Sequence, residues 1–560
     1  MGEVKEVAQT AGLVIEGGTL IDGAGNAPQS NAVIVIQGNK IVSVGEKGKL
    51  SYPPGARLIE VSGKFILPGL IDMHVHWADW MPELFLAHGI TSAVDLASTD
   101  WTLEQRDALM DGRLAGPRLF ASLGPFAGRL LWDRALREVE TAQMARRLVR
   151  EAGAGRAKYA LTKVYTELTP DQLQAVVEES HRAGRNVIAH LGSLDARQAA
   201  EAGVDALAHA SGVALATIPD PIKAEQLRCC VKIGISIEFP QFLMYHAFMD
   251  PGNADDLIAL LVRKNVRLEP DLINTCRWAA PHRQTWLADD ARLLDDPDLR
   301  YIPASSRDRM LFNKPLEDLN GEERAQLRRG YDNLQSFIRK FVEAGGIVLA
   351  GSDTAAFVVP GISLHRELEL LVDVGLSPMQ AIQAATRNNA EFLQEEQLGT
   401  IQPGKLADLI VITKDPLADI RNTNSVEMVL KDGIVMDTRF HADFVNPTPR
   451  PRIAGYPNPK PSIRTLYPMT TQKRNEDLEL TIEGSNLIKD SVVEFDGVAV
   501  RSAPVKSTLL RETQFYPVYT QLIANVPGRL LHGNGTYKVV VRNPRPEGGI
   551  SNLLYFFVAE

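Results

Sequence analysis

Cysteine is nearly absent. Cys229, Cys230 and Cys276 are the only three in 560 residues. Two of them are adjacent, which rarely bridge, and no Cys-x-x-Cys occurs. A disulfide framework is therefore excluded, and cysteine gives no argument for secretion. Runs of Lys and Arg are missing too, and the formal net charge is −9. Both features argue against a nucleic-acid surface. No apolar run reaches the roughly 18 residues of a membrane span. The opening Met1-Gly-Glu-Val-Lys-Glu-Val-Ala lacks the apolar core of a signal peptide. A cytoplasmic protein is the expectation, unless an export signal has been removed.

What is present is ordinary for a globular chain: 45% hydrophobic and 23% charged residues. The length suggests roughly three or four domains. Residues 1–66 read as short strands, such as Ala32-Val-Ile-Val-Ile36, separated by Gly17-Gly18, Asp22-Gly23 and Gly38-Asn39 turns. From 67 to 394, strands alternate with helices, the pattern of βα units and a parallel sheet. About eight units fit, which favours a closed (β/α)8 TIM barrel over an open sheet. Within it, Pro219 to Asn313 reads as irregular. Lys232 to Pro240 and Arg263 to Pro270 echo one another, and the second is favoured as the seventh barrel strand. Trp278 to Glu317 reads as a long charged loop, either a lid or a surface insertion.

Residues 395–445 return to β composition, so a small two-piece β-sandwich flanks the barrel. Residues 446–461 hold six prolines and read as a stiff linker. Residues 462–560 are all β, with turns at Asp496-Gly497 and Asn543-Pro544. About a hundred such residues suggest an Ig-like sandwich.

The chemistry is concentrated at strand ends. In Leu67-Pro-Gly-Leu-Ile-Asp-Met-His-Val-His76 an apolar run leads into two histidines two residues apart. Residues i and i+2 of a strand face one side, so His74 and His76 aim at one point. Alone, the pair fits two satisfied histidines as well as it fits a metal. But Lys163, His190, His209 and Asp353 also end apolar strands. The active site of a (β/α)8 barrel lies at those ends. A buried unpaired histidine or aspartate costs roughly a few kcal/mol, so six such residues converging without a metal would be badly destabilising.

These residues resemble the amidohydrolase superfamily over about residues 12 to 440. The marks are the His-x-His segment, Gly89-Ile-Thr-Ser92, Ala189-His190, Gly203-Val-Asp-Ala-Leu-Ala-His209, Ala350-Gly-Ser-Asp353 and Pro403-Gly-Lys-Leu-Ala-Asp408. Lys163-Val-Tyr165, His365-Arg-Glu-Leu368 and Gly375-Leu-Ser-Pro378 are similar to the imidazolonepropionase-like and prolidase-like subgroup. The tail resembles an IPT/TIG Ig-like domain through Gly484-Ser-Asn486, Phe495-Asp-Gly497 and Gly535-Thr-Tyr-Lys-Val539.

The resemblance implies two divalent metal ions. His74, His76 and Asp353 would hold one, His190 and His209 the other, and a CO2-derived carbamate on Lys163 would bridge them. Zinc suits such a His/carboxylate mixture. An ordinary barrel lysine paired with an acid is the plain alternative for Lys163, and Lys158 is the lesser candidate bridge. The implied reaction is hydrolysis of an amide or peptide C–N bond by a metal-bridging hydroxide, with Asp353 moving the proton. Tyr165 would either steady the oxyanion or pack. His246, Arg277, His282 and His365 are candidate substrate contacts, whereas His88 and His181 read as structural.

The deaminases of the superfamily carry a glutamate soon after a ligand histidine, and this chain has Leu-Gly-Ser after His190 and Ala-Ser-Gly after His209. The expected substrate is therefore a dipeptide, an N-acyl amino acid or another amide-type small molecule. A mononuclear cyclic-amide hydrolase or deaminase is the alternative within the superfamily. A metal-dead scaffold working through its Ig-like tail is the alternative outside it, and a homo-oligomer is compatible with the family.

Overall fold

The computed structural model describes residues 12–128, 137–153, 158–232, 240–277, 279–311, 319–354, 358–449, 461–472, 475–505, 509–512, 517–544 and 549–559. The chain divides into two compact units, Met1–Arg450 and Pro451–Glu560.

In the first unit, both ends of the chain build one sheet. Its N-terminal strands are β1 (Leu13–Leu20), β2 (Gln29–Gln37), β3 (Lys40–Glu46), β4 (Arg57–Glu60) and β5 (Phe65–Pro68). The return is made by β14 (Leu409–Ile412), β15 (Val426–Lys431) and β16 (Ile434–Val435). The order is β16-β15-β14-β5-β1-β2-β3, with β4 beside β1. The seam is β5 on β14, antiparallel, with Leu67 opposite Ile410. Ile15, Ile34, Ile66, Leu409 and Val411 share one apolar cluster across that seam.

The barrel sheet follows directly. Its strands are β6 (Leu70–Val75), β7 (Ile90–Asp95), β8 (Arg118–Ala127), β10 (Leu161–Val164), β11 (Val187–Ala189), β12 (Ala206–Ala208) and β13 (Arg267–Glu269), with the short β9 (Arg137–Glu138) beside β8. All seven pair in parallel, in the order β13-β12-β11-β10-β8-β7-β6. Residues 347–354 nearly close the ring. They bridge β13 at Leu268 and Val348 and meet β6 at Val75 and Thr354. This is the architecture of a TIM barrel. Helices cover the outside, so β6, β7 and β10 are buried on both faces and read as apolar runs rather than alternating ones.

The second of the two echoing segments supplies β13 as the seventh strand, while residues 233–239 of the first lie outside the described residues. The stretch expected to be irregular is largely helical: Pro221–Lys232, Pro251–Arg263, Arg283–Leu294 and Ala304–Met310. The described part of the expected long charged loop, residues 279–311, is thus mostly two helices. Its apolar residues anchor it: Trp286, Leu294, Leu299, Ile302 and Met310 are buried in the main core. The following helix spans Gly321–Glu343. Its start is set by Asn320, which caps the amides of Glu322 and Glu323.

The start of the proline-rich stretch is pinned rather than free. Asn446 donates to Asp79 O (2.9 Å) and Gln105 Oε1 (2.7 Å), and Trp101 Nε1 donates to Thr448 O (3.1 Å). Pro451–Glu560 is a β-sandwich unit with its own core, centred on Leu480, Ile482, Val493, Phe495, Val539, Val541 and Phe556. Cys276 is buried and free. No helix among the described residues is long and apolar enough to cross a membrane.

Candidate metal centre

Barrel closure brings the chemistry together. Asp353 N donates to His74 O (2.7 Å), and His76 N donates to Thr354 O (3.1 Å), so the closing segment lies along β6. Gly351 permits this approach. A Cβ there would stand 2.4 Å from Glu269 Oε1 and 2.8 Å from His74 Cβ. Three non-glycine residues around the site adopt left-handed backbone: His209 (φ 60°), Asp271 (φ 49°) and Asp353 (φ 47°). Each costs about 1 kcal/mol or more, and such strain gathers at functional sites.

His74 has a carboxylate oxygen near each ring nitrogen. Nδ1 lies 3.0 Å from Glu269 Oε2 and Nε2 lies 3.4 Å from Asp353 Oδ1. His76 Nε2 is 2.9 Å from the same Asp353 oxygen. His209 Nδ1 is 2.9 Å from Asp271 Oδ2. Ring centroids are 4.8 Å apart for His74 and His209, 4.6 Å for His190 and His209, and 4.5 Å for Tyr165 and His190. The triads His74–His76–Asp353, His74–His209–Glu269 and His209–Asp271–Asp353 each offer ligand atoms within 4.8 Å of one another. His76 alone of this group keeps its side chain 41% exposed, which opens the cluster to solvent on that side.

Lys163 is buried, and its Nζ has no hydrogen-bond partner among the described residues. Burial pushes it down to about 8, against the pull of Glu269, Asp353 and Asp271. Lys158, at the other end of the strand, is half exposed and faces Asp100 at 3.9 Å, which removes it as a bridge.

Burial, reinforced by the positive charge of Lys163, holds His74, His190 and His209 well below the ordinary imidazole value. They are neutral, the form that ligates metal. Glu269 and Asp271 are driven well above the carboxylate range, by burial first and then by neighbouring carboxylates. Glu269 Oε1 and Asp271 Oδ1 are buried without hydrogen-bond partners among the described residues. Several buried carboxylates around one lysine leave negative charge that divalent cations would balance. The donor set and a buried amine without a hydrogen-bond partner among the described residues both fit a metal site.

The six residues expected at strand ends therefore meet at one place, with Tyr165 beside them. Sequence reasoning missed Glu269 and Asp271, which orient His74 and His209 through their far nitrogens. It also missed Asn274, whose Nδ2 donates to Asp353 O (3.2 Å) and Oδ2 (3.1 Å). A signal existed for Glu269, which ends a barrel strand as Asp353 does.

Three histidines proposed as substrate contacts are committed elsewhere. His246 is fully buried, with Nδ1 on Phe242 O at 3.2 Å. His365 spends Nδ1 on Thr423 Oγ1 (2.9 Å) and Nε2 on His88 O (2.8 Å). His282 faces Glu369 and Asp373 at 3.6 and 3.8 Å, outside the cluster. All three sit on or beside packed helices, where a neighbouring carbonyl, hydroxyl or carboxylate faces the ring. Arg277 is buried just after the Leu272–Thr275 helix, and its charge acts on Asp290.

Residues 65–436 match the amidohydrolase family, more than half of the chain, and the chain belongs to that family. The 5-methylthioadenosine/S-adenosylhomocysteine deaminase of Symbiobacterium thermophilum is 37% identical over 67 residues, 12% of this chain and 15% of that protein. The N-acyl-D-glutamate deacylase of Alcaligenes xylosoxydans xylosoxydans is 34% identical over 128 residues, 21% of this chain and 25% of that protein. The chain thus spans a quarter or less of the length of these curated relatives. A solved Xaa-Pro dipeptidase with bound methionine is similar with a TM-score of 0.52, over 76% of this chain and 100% of that one, at 21% identity. That likeness concerns the fold alone.

Proposed function

We propose that this chain hydrolyses an amide or peptide C–N bond at a binuclear divalent-metal centre, most suitably zinc, with a dipeptide, N-acyl amino acid or other amide-type small molecule as substrate. Lys163 carries the reading: a buried amine without a hydrogen-bond partner among the described residues, set among His74, His190, His209 and Asp353. Titrating near 8, it keeps a neutral fraction at neutral pH. That amine adds its lone pair to the carbon of CO2, a C=O pair moves to oxygen, and a proton leaves the nitrogen. The product is an anion with two oxygens where a buried cation stood.

His74, His76 and Asp353 would hold one ion, His190 and His209 the other, and the carboxylated Lys163 both. When bound, two such ions supply Lewis acidity and an acidified water. The chain's own residues do the rest. Asp353 accepts the proton of the attacking water at its carboxylate and returns it to the departing nitrogen. Asn274 fixes which Asp353 oxygen faces the histidines. Tyr165, against His190, would donate to the developing oxyanion. The N-acyl-amino-acid and dipeptide activities named for the deacylase and the dipeptidase support this substrate class. We read residues 462–560 as an Ig-like domain of the IPT/TIG kind that mediates assembly.

The test is metal content per chain for wild type and Lys163→Ala, with a panel of dipeptides and N-acyl amino acids. About two ions, falling with activity in the variant, are expected of a bridged pair. One ion, unchanged in Lys163→Ala, overturns the carbamate bridge and favours the mononuclear deaminase or cyclic-amide reaction.

A further inference from the structure

The His365-Arg-Glu-Leu segment has a member that the site does not use directly. Glu367 is fully buried on the helix Ile362–Asp373. Its Oε2 accepts from Ile273 N at 2.8 Å, and the carboxyl lies beside Leu272 N. Those amides open the helix Leu272–Thr275, which is only four residues long. So short a helix has little stability of its own.

Its N-cap residue is Asp271, a type that ordinarily caps with its own side chain. Here Asp271 makes no side-chain cap bond. Its carboxylate is turned to His209 Nδ1 instead, with the backbone left-handed at φ 49°. The same turn carries Asn274, which holds Asp353.

We infer that Glu367 is a positioning residue of the metal centre. It supplies from another helix the cap that Asp271 has given up, and so fixes the turn that sets His209 and Asp353. The inference rests on the proposed metal centre for its function and on the hydrogen bonds for its structure. What the role requires is an acceptor of the right reach, not a charge. Burial pushes the Glu367 carboxyl up to about 8, in keeping with a neutral group serving.

The experiment compares Glu367→Leu, Glu367→Asp and Glu367→Gln in the full chain. It measures zinc affinity by chelator competition, kcat and KM on an amide the wild type hydrolyses, and hydrogen exchange at Leu272 and Ile273. Leu removes the acceptor, Asp withdraws it, and Gln keeps it in reach. Leu and Asp should each weaken zinc on the order of tenfold and lower kcat more than they raise KM, while Gln stays within about threefold. A role for charge or bulk would give another ranking, with Asp near wild type and Gln poor. Zinc affinity unchanged in Asp, or Gln falling with Asp, overturns the inference, and Asp decides it even if Leu fails to fold. If wild type binds no zinc, the proposed function falls. Exchange then decides the cap: faster at the two amides in Asp upholds it, and unchanged exchange ends it.

Discussion

The barrel mouth and the helical layer around it both bury histidines, and they put them to different uses. His74, His190 and His209 at the mouth are at most 8% exposed, and His88, His246 and His365 among the helices are at most 9% exposed. In the helical layer, His88 and His246 each turn Nδ1 to the carbonyl four residues back, Leu84 O at 2.8 Å and Phe242 O at 3.2 Å. The helix itself absorbs the polar group. A strand end has no carbonyl in that position. There the rings of His74 and His209 lean on carboxylates at and just after the end of β13 and converge. Burial does not make a histidine a ligand; what its second nitrogen meets does.

Acid is the strongest probe of this contrast. Burial lowers His88 and His246 to about 4 and His365 to about 3, against an ordinary value near 6.5. As pH falls the unfolded chain takes up these protons first. The stabilisation is whole above about pH 6.5 and is lost as pH falls toward the folded values, with a limiting slope of ~1.4 kcal/mol per unit per histidine. Denaturant unfolding of metal-free protein between pH 7 and 5 should show this. His246→Leu should remove one proton's share of the slope. With saturating zinc the dependence should steepen, because His76 and Lys163, which hold protons in the metal-free fold, must give them up to bind the ion. Parallel curves with and without zinc would erase the distinction between the two regions.

The next effect is steric. Gly351→Ala places a methyl 2.4 Å from Glu269 Oε1 and 2.8 Å from His74 Cβ. Overpacking of this kind costs about 1–3 kcal/mol. The loss should appear in the unfolding midpoint and in weaker zinc binding together. Retained zinc affinity would show that the mouth tolerates a shifted closing segment.

The smallest effect tests the orienting carboxylates. Asp271→Asn keeps an acceptor for His209 Nδ1 but removes the charge, and zinc should bind on the order of tenfold more weakly. The unfolding midpoint of the metal-free protein should stay close to wild type. Equal zinc affinity would mean that the mouth histidines do not depend on their carboxylate partners.

Much of the site was legible because its signals are local. His74 and His76 are two apart on a strand, and Lys163, His190, His209 and Asp353 each follow a short apolar run. The seventh strand was chosen correctly from two similar segments. The histidines at 246, 282 and 365 have partners that the sequence did not show. Their sequence neighbourhoods resemble loops, while their rings are occupied by a helix carbonyl, by Thr423 and His88 O, and by Glu369 and Asp373. The stretch 219–313 lacks a clean period because its short helices pack in several directions against the barrel core.

Strand periodicity and apolar runs are properties of neighbouring residues, so the sequence by itself determined which strand ends carry imidazole, amine and carboxylate. The tertiary structure decided their partners. Glu269 reaches His74 across 195 residues of chain, and Asp271 reaches His209 across 62. A hydrogen bond depends on tenths of an ångström. Those distances exist only once residues 347–354 have bridged β13 to β6 and drawn the strand ends into one ring.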